Sequence, residues 1–206
     1  MSLYNELLQK FGYNEPILTN EINYGSYSKP WIYQELNRLV KNGEIIRFDK
    51  GVYYIPTQTR LGKSLLDPRK VIEKKYISSC GKVFGFYSGS TILNRIGLST
   101  QVPNIIEIYT NNESANVREV SVGKQTVMLR RARVEISKDN ADTLCFLEMM
   151  NTISPAFLDK EKKKILSKFI RESGISRKAV TEYSKCFPDK ALRNLIESEI
   201  IYDVAQ

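Results

Sequence analysis

Apolar side chains in the first 56 residues follow helical spacing at first and strand-like spacing later. Those at positions 3, 7, 8 and 11 fall on one helical face and stop before Gly12, which predicts a first helix. Pro16 predicts the start of a second short helix that runs through Glu21 and Ile22. The chain is therefore expected to open with two helices.

A third helix is predicted from Ser28 onward. The Ser28 hydroxyl can cap it, and Pro30 in the first turn lacks the N–H that would otherwise need a partner. Apolar residues at 32, 36, 39 and 40 form one stripe, and Asn42 and Gly43 end the pattern.

Two β-rich runs follow at residues 45–48 and 52–55, with Asp49, Lys50 and Gly51 between them. The glycine can take the positive φ that a tight hairpin needs. Three helices followed by a hairpin predict a winged helix-turn-helix domain over residues 1–60.

The rest of the chain predicts a basic linker and helix over residues 61–77 and a second domain over residues 78–206. That domain is expected to begin with strands at residues 83–87, 105–109, 117–122, 126–129 and 134–136 and a helix carrying Ile92, Leu93 and Ile96. Four helices should complete it, at residues 141–153, 155–172, 176–186 and 189–200. The predicted fold class is α+β, with an N-terminal winged helix-turn-helix domain and a mixed α/β domain that ends in a helical bundle.

Composition restricts the chemistry. The chain has no histidine, which removes the usual general base and a common ligand of transition metals. Its three cysteines are odd in number and widely separated, which fits neither a disulfide framework nor a zinc knuckle. Ser-His-Asp chemistry, Cys-His chemistry and histidine-based metal sites are therefore excluded. We expect no metal, no cofactor and no enzymatic activity. Without a signal-peptide pattern or a spanning apolar run, the expected location is the cytoplasm, with no membrane partner.

The net charge of +8 and the pI near 9.3 indicate a polyanionic partner. Residues 1–56 are neutral overall, whereas residues 57–76 carry a net charge of +4 and residues 77–136 carry +3. The candidate phosphate contacts in this basic middle section are Arg60, Lys63, Arg69, Lys70, Arg118, Arg130, Arg131 and Arg133. For the last four, an ordinary charged sheet face is an equally good interpretation.

The polar face of the third helix carries side chains suited to DNA. Glutamine, asparagine and arginine can read base edges in a major groove, and lysine can hold phosphates. The predicted DNA-binding residues on this helix and the hairpin are Tyr27, Ser28, Lys29, Trp31, Gln34, Asn37, Arg38, Lys41, Arg47 and Lys50. The alternative is a small helical subdomain with a solvated polar face.

Two short motifs resemble catalytic sites but lack a required partner. Gly62, Lys63 and Ser64 resemble the end of a phosphate-binding loop, yet the glycine needed five residues earlier is Thr57. Gly89 and Ser90 resemble the opening of a nucleotidyltransferase site, which needs a carboxylate pair on the next strand to hold metal ions. Only Glu107 stands there, so a basic linker and a helix cap are the preferred interpretations.

Two blocks of sequence resemble the AbiEi-like antitoxins of bacterial abortive-infection, or type IV toxin–antitoxin, systems. The first is LVKNGEIIR at residues 39–47 with GVYYIP at 51–56, similar to the winged-helix segment of that family. The second joins Leu93 and Asn94 to GLSTQVP at residues 97–103 and to Ile106, Ile108 and Thr110, and it is similar to the start of the family's second domain.

The resemblance implies a cytoplasmic antitoxin with two roles. Its first domain would bind double-stranded operator DNA and repress its own operon. Its second domain would counter a nucleotidyltransferase toxin, without a stable complex between the two proteins. Only the wing and helix positions carry over as DNA-facing residues, because neutralisation has no residue pattern to match.

Two other functions remain open. The second domain could be a phosphate- or nucleotide-handling enzyme that the winged helix targets, in which case Glu107, Glu119 and Glu135 should converge on one metal-sized site. Alternatively, it could be a ligand sensor that modulates a repressor. A buried apolar pocket with few polar groups would favour that function.

Overall fold

A computed structural model describes residues 2–22, residue 25 and residues 27–204. The chain divides into two compact units. The first comprises Met1–Lys74 with Val122–Lys124, and the second comprises Lys75–Ser121 with Gln125–Gln206. Both α-helices and small β-sheets are present, so the fold class is α+β.

The predicted first and third helices of the first unit are confirmed. Helix α1 spans Leu3–Phe11, and it ends at Gly12, whose φ is +78°. Helix α2 spans Lys29–Lys41, and the Ser28 hydroxyl caps it by accepting a hydrogen bond from the Trp31 N–H at 3.3 Å. The chain leaves α2 through Gly43 with φ +72°, a conformation that glycine adopts without steric cost.

The predicted second helix is wrong. Strand β1, Ile17–Leu18, is followed by a single 3-10 turn at Thr19–Glu21. Both strand residues are buried, and they pair antiparallel with Tyr53 and Val52. Pairing and burial thus override the helix-start signal of Pro16.

The predicted hairpin forms and completes a three-stranded sheet. Strand β2 is Ile46–Asp49 and strand β3 is Val52–Tyr54, and the spatial order is β1-β3-β2. The sheet and helices enclose one apolar core, which contains Leu3, Leu7, Ile17, Ile22, Ile32, Leu36, Leu39, Ile45, Tyr53 and Ile55.

Residues after the hairpin, expected as a basic linker, form structure of their own. Strands β4, Gln58–Thr59, and β5, Gly62–Lys63, make a second antiparallel hairpin. Helix α3 follows at Pro68–Tyr76. Its Lys74, near the C-terminal end of the helix, forms an ion pair of 2.9 Å with Glu21 of the same unit.

The second unit begins with a small hairpin and a four-stranded sheet. The hairpin joins β6, Ser78–Ser79, to β7, Lys82–Val83. The sheet has the order β10-β11-β9-β8, formed by β8 (Gly85–Tyr87), β9 (Ile105–Thr110), β10 (Val117–Val122) and β11 (Gln125–Arg131). Strands β9 and β11 are parallel, and helix α4, Gly89–Arg95, connects β8 to β9.

The strand expected at residues 134–136 does not form. The Asn111 side chain instead satisfies the backbone of Ile136, accepting from its N–H at 2.9 Å and donating to its carbonyl at 2.8 Å. A side-chain amide therefore takes the place of a neighbouring strand.

Helices make up the rest of the second unit. They are α5 (Ala141–Thr152), α6 (Lys160–Glu172), α7 (Arg177–Ser184) and α8 (Asp189–Glu197), with 3-10 turns at Pro155–Phe157 and Ile200–Asp203. Helix α6 begins five residues later than expected, because the Asp159 carboxylate caps it through the Lys162 N–H at 2.9 Å. Helix α5 is buried around most of its circumference and is the centre of this unit.

A buried amide at the end of α5 gives the first testable prediction. The Asn194 side chain donates to the carbonyls of Met150 and Ile153 at 2.8 and 2.7 Å, where helix carbonyls lack helical partners. We expect Asn194→Ala to lower the free energy of unfolding by about 2–3 kcal/mol, because two buried acceptors lose their donor. Urea denaturation checks this, with the exposed Asn104→Ala as the control that should change little. An equal stability for the two variants would contradict the capping role.

Candidate nucleic-acid interface

Helix α2 separates its side chains into two faces. Ile32, Leu36 and Leu39 are buried in the core of the first unit. The opposite face is exposed, as the 100° repeat predicts, and it presents Trp31, Gln34, Asn37, Arg38 and Lys41. Lys29 is exposed in the first turn of the helix. Tyr33, which the sequence analysis did not select, is also exposed on this helix.

Two side chains in the middle of this face are free to bind. Within the described part of the chain, the amides of Gln34 and Asn37 form no hydrogen bond with another residue. Each amide offers a donor and an acceptor on one fork, which is the pattern that adenine presents in a major groove.

Arg38 is not free in the same way. Its guanidinium donates to both carboxylate oxygens of Glu35, at 2.9 and 2.6 Å. These hydrogen bonds hold the pKa of Glu35 below its usual value and raise the pKa of Arg38. A base or phosphate would have to displace Glu35 from the guanidinium fork.

Aromatic rings cover the start of the same helix. Tyr27 stacks on Trp31, with ring centroids 4.2 Å apart and planes 11° from parallel. Trp31 remains 37% exposed, so the stack presents a rigid apolar surface beside Lys29. The Ser28 hydroxyl is occupied as the helix cap, which makes it a positioning group rather than an open donor.

The hairpin cations lie in and beside the β2–β3 turn. Lys50 is exposed in the turn, which is held by a 2.6 Å hydrogen bond from its N–H to the Asp49 carboxylate. Gly51 has φ +71°, and a Cβ there would come within 3.1 Å of the Thr19 hydroxyl. Arg47 is exposed, and its Nε donates to the Asp49 carbonyl at 3.4 Å.

The candidate phosphate contacts of the first unit divide into occupied and free cations. Lys63 donates to the Gly43 carbonyl at 2.5 Å, and Lys70 is paired with Glu15. Arg60 and Arg69 are exposed and form no ion pair among the described residues. With respect to the described residues, Arg60 and Arg69 can therefore bind a phosphate without first releasing a protein partner.

Most candidate cations of the second unit are occupied by carboxylates. Arg118 pairs with Glu113 at 2.7 Å, Arg130 with Glu107 at 3.3 Å, and Arg133 with Glu148 at 3.5 Å. Arg131 is exposed, with no ion pair in the described ranges. Together with Tyr109 and Asn116, Arg130, Arg131 and Arg133 line an open groove of about 370 Å³.

The Glu113 carboxylate gives a prediction about pH. The carboxylate accepts hydrogen bonds from the N–H groups of Ala115 and Ser114, both at 2.9 Å, and it forms an ion pair with Arg118. These contacts hold the pKa of Glu113 below its usual value, and the hydrogen bond from Ala115 has the largest effect. Because the pKa is lower in the folded state, the stabilisation is present above the unfolded pKa of about 4.3 and is lost as pH falls through the folded value. We expect Glu113→Gln to lower the free energy of unfolding by about 1–2 kcal/mol at pH 7 and by little at pH 2. Chemical denaturation at both pH values checks this.

The exposed Glu119→Gln is the matched control for that experiment and should change stability little at either pH. If the free energies of unfolding of Glu113→Gln and the unmodified protein differed more at pH 2 than at pH 7, the ionised carboxylate would not be the stabilising form.

The carboxylates expected for a metal site do not come together. In the ranges that the structure describes, no three residues among His, Cys, Asp and Glu could hold a metal ion, so Glu107, Glu119 and Glu135 do not converge. Glu107 instead accepts the Ser90 N–H at 3.3 Å and pairs with Arg130. Burial raises the pKa of the Cys145 thiol.

A cavity inside the second unit is small. A cavity of about 10 Å³ lies between Phe86, Leu144 and Phe187, beside the buried carboxylate of Glu148. Glu148 accepts a hydrogen bond from the Tyr109 hydroxyl at 3.0 Å. The pKa of Tyr109 is raised, mainly by burial and secondly by the nearby Glu148 carboxylate. The cavity has room for about one water molecule, which is far less than a ligand-sensing pocket needs.

No described helix is both long enough and apolar enough to cross a membrane. No curated protein matches the chain. The sequence profile of one family, DUF6088, matches residues 16–177, which is most of the chain and includes parts of both units. The chain therefore belongs to the DUF6088 family, a family of unknown function.

Proposed function

We propose that this protein is a DNA-binding transcriptional regulator of the AbiEi-like antitoxin type. It represses its own operon and counters a nucleotidyltransferase toxin in the cytoplasm, and it is not an enzyme. The observation that carries the DNA-binding part is the exposed face of α2, where the unoccupied amides of Gln34 and Asn37 lie beside Arg38.

The order of elements in the first unit supports a winged helix-turn-helix. A helix, a short strand, a 3-10 turn, a second helix and a β-hairpin follow one another, and β1 pairs with the far strand of the hairpin. In this assignment α2 is the recognition helix, and the β2–β3 hairpin is the wing. The 3-10 turn at Thr19–Glu21 takes the place of the middle helix.

The electrostatics of α2 agree with a DNA ligand. Lys29 and Lys41 lie at the two ends of the exposed face, and Lys50 lies in the wing turn. Lysines placed around a face with amide side chains at its centre suit phosphates on either side of a row of base edges. The acidic side chain on this face is Glu35, and an ion pair with Arg38 compensates its charge.

The second role rests on the resemblance of residues 93–110 to the antitoxin family. The toxin is proposed as a functional partner without a stable complex. The second unit is the part that we assign to neutralisation, and no individual residue is given that role. Among the described residues, no group of three His, Cys, Asp or Glu side chains could hold a metal ion, and the cavity beside Glu148 has room for about one water molecule.

Salt dependence tests which cations touch DNA. Each phosphate contact steepens the fall of log affinity with log salt by about 0.9. We expect Arg60→Ala, Arg69→Ala and Arg131→Ala, made singly in the full chain, each to reduce the slope by about this amount. Fluorescence anisotropy over a range of salt concentrations, with DNA from upstream of the protein's own gene, measures it.

Lys178→Ala, which removes an exposed cation from α7, is the control and should leave the slope unchanged. An unchanged slope in Arg131→Ala would exclude that arginine of the second unit from the DNA interface. The absence of any binding by the unmodified protein would overturn the proposed function.

A further inference from the structure

The β4–β5 hairpin has an exposed end that the folded protein does not use. Its two-residue turn consists of Arg60 and Leu61. Leu61 is fully exposed, at 101% of its reference surface, and Leu65 just beyond the hairpin is 88% exposed. Exposed leucines are common singly, but this one lies at the end of a hairpin beside an unpaired arginine.

The turn is held in a defined shape. The Thr59 hydroxyl donates to the Gly62 carbonyl at 2.7 Å and accepts the Leu61 N–H at 3.3 Å. Gly62 has φ +108°, a conformation that favours glycine. Arg60 and Leu61 are therefore presented by an ordered turn.

The base of the hairpin is fastened to the first unit. The Ser64 hydroxyl accepts the Thr57 N–H at 2.9 Å and donates to the Asn14 side chain. The Ser64 carbonyl accepts the Tyr54 hydroxyl at 3.0 Å. These contacts hold both ends of the hairpin on the first unit.

A lysine connects the hairpin to the recognition helix. Lys63 Nζ donates to the Gly43 carbonyl, directly after the end of α2. The hairpin thus lies beside the C-terminal end of α2 and within the same unit as the exposed face of that helix. Lys63 acts as a structural link there, and Arg60 is the cation left for a ligand.

We propose that the β4–β5 hairpin is a second DNA-contacting element, which places Arg60 and Leu61 in a minor groove next to the major groove that α2 enters. This inference rests on the proposed DNA-binding function. Arginine is favoured in narrow minor grooves by their negative potential, and leucine is among the apolar side chains that architectural proteins insert there.

Charge favours DNA over a second copy of this chain, which carries a net charge of +8. Residues 57–66 contain Arg60 and Lys63 and no carboxylate. A two-residue turn is narrow enough for a minor groove, which is about 6 Å wide. The combination of one apolar and one cationic side chain on a carboxylate-free turn matches the floor and the phosphate walls of that groove.

The test measures affinity and groove preference in the full-length protein. The probe is a labelled duplex from upstream of the protein's own gene, with netropsin as a competitor that fills the minor groove. We expect the double variant Arg60→Ala with Leu61→Ser to bind about tenfold more weakly than the unmodified protein. Netropsin should weaken binding by the unmodified protein and have much less effect on the double variant.

Leu65→Ser with Lys178→Ala is the matched control, since it also removes one exposed leucine and one exposed cation. It should bind as the unmodified protein does. All four substituted side chains are exposed, and equal melting temperatures would verify that folding is unchanged.

The outcomes separate this inference from the proposed function. If the unmodified protein binds and the double variant binds equally well, the hairpin inference is overturned and the recognition-helix assignment stands. If light scattering shows that the double variant dissociates a dimer, the hairpin contacts a second copy and the inference is also overturned. If the unmodified protein does not bind DNA, both proposals fail.

Discussion

Replacing Gln34 and Arg38 together by alanine should weaken binding to the protein's own upstream DNA by about 2–6 kcal/mol, because each good bidentate base contact contributes about 1–3 kcal/mol. Both side chains are exposed on α2, and the Gln34 amide has no partner to release. The loss on random DNA should be smaller, since phosphate contacts carry no sequence information. Anisotropy titrations with the two kinds of duplex measure both losses.

Lys168→Ala with Arg171→Ala on α6 is the control for that pair, because both side chains are exposed cations of the second unit. It should leave specific binding unchanged. Equal losses on specific and random DNA for the Gln34 and Arg38 variant would mean that these residues hold phosphates and that another face of the unit enters the major groove.

Separate substitutions in the two units should separate the two proposed activities. Arg38→Ala with Lys50→Ala should abolish repression and leave protection from the toxin intact, because both positions are exposed and contribute little to folding. Phe146→Ala should abolish protection and retain part of the DNA binding, because the recognition helix lies in the first unit. Phe146 is fully buried in α5, and its truncation should destabilise the second unit by about 3–5 kcal/mol.

Growth and promoter activity, measured together in cells carrying a candidate nucleotidyltransferase toxin, test this separation. Ile196→Ala, which truncates an exposed apolar side chain on α8, is the control for Phe146→Ala and should preserve both activities. Full protection by a Phe146→Ala chain whose second unit is unfolded would exclude that unit from neutralisation.

Local signals predicted α2 well. The signals for this helix are its N-cap serine, the proline in its first turn, its apolar stripe and the glycine after its end. All of them lie within the helix or next to it, so they can be identified from the local sequence. The exposed face follows from the same periodicity. Glu35 and Arg38 are three residues apart on that face, so their ion pair could also have been predicted from spacing.

Long-range pairing explains what the sequence did not predict. Ile17 and Leu18 become a strand because β3, more than thirty residues away, offers them backbone partners and burial. Residues 134–136 do not form a strand, because the side chain of Asn111, distant in sequence, makes hydrogen bonds with the backbone N–H and carbonyl of Ile136. Neither partner can be identified from the local pattern.

The candidate phosphate contacts illustrate the same limit. A count of charges cannot distinguish Arg131 from Arg130, which are neighbours in sequence, although only Arg130 finds a carboxylate, at Glu107. The β4–β5 hairpin was missed for a different reason. Its strands are two residues long and polar, and Gly62 after Arg60 and Leu61 was the one local signal of a turn.

We expect α2 and the β2–β3 wing to read a specific DNA sequence, and one binding comparison distinguishes this from non-specific binding. The full-length protein is titrated by fluorescence anisotropy into a duplex from upstream of its own gene and into a scrambled duplex of the same composition, at physiological salt. We expect binding to the first duplex to be tighter by a factor of about 10³ or more. Equal affinity for the two duplexes, or no binding to either, would contradict it.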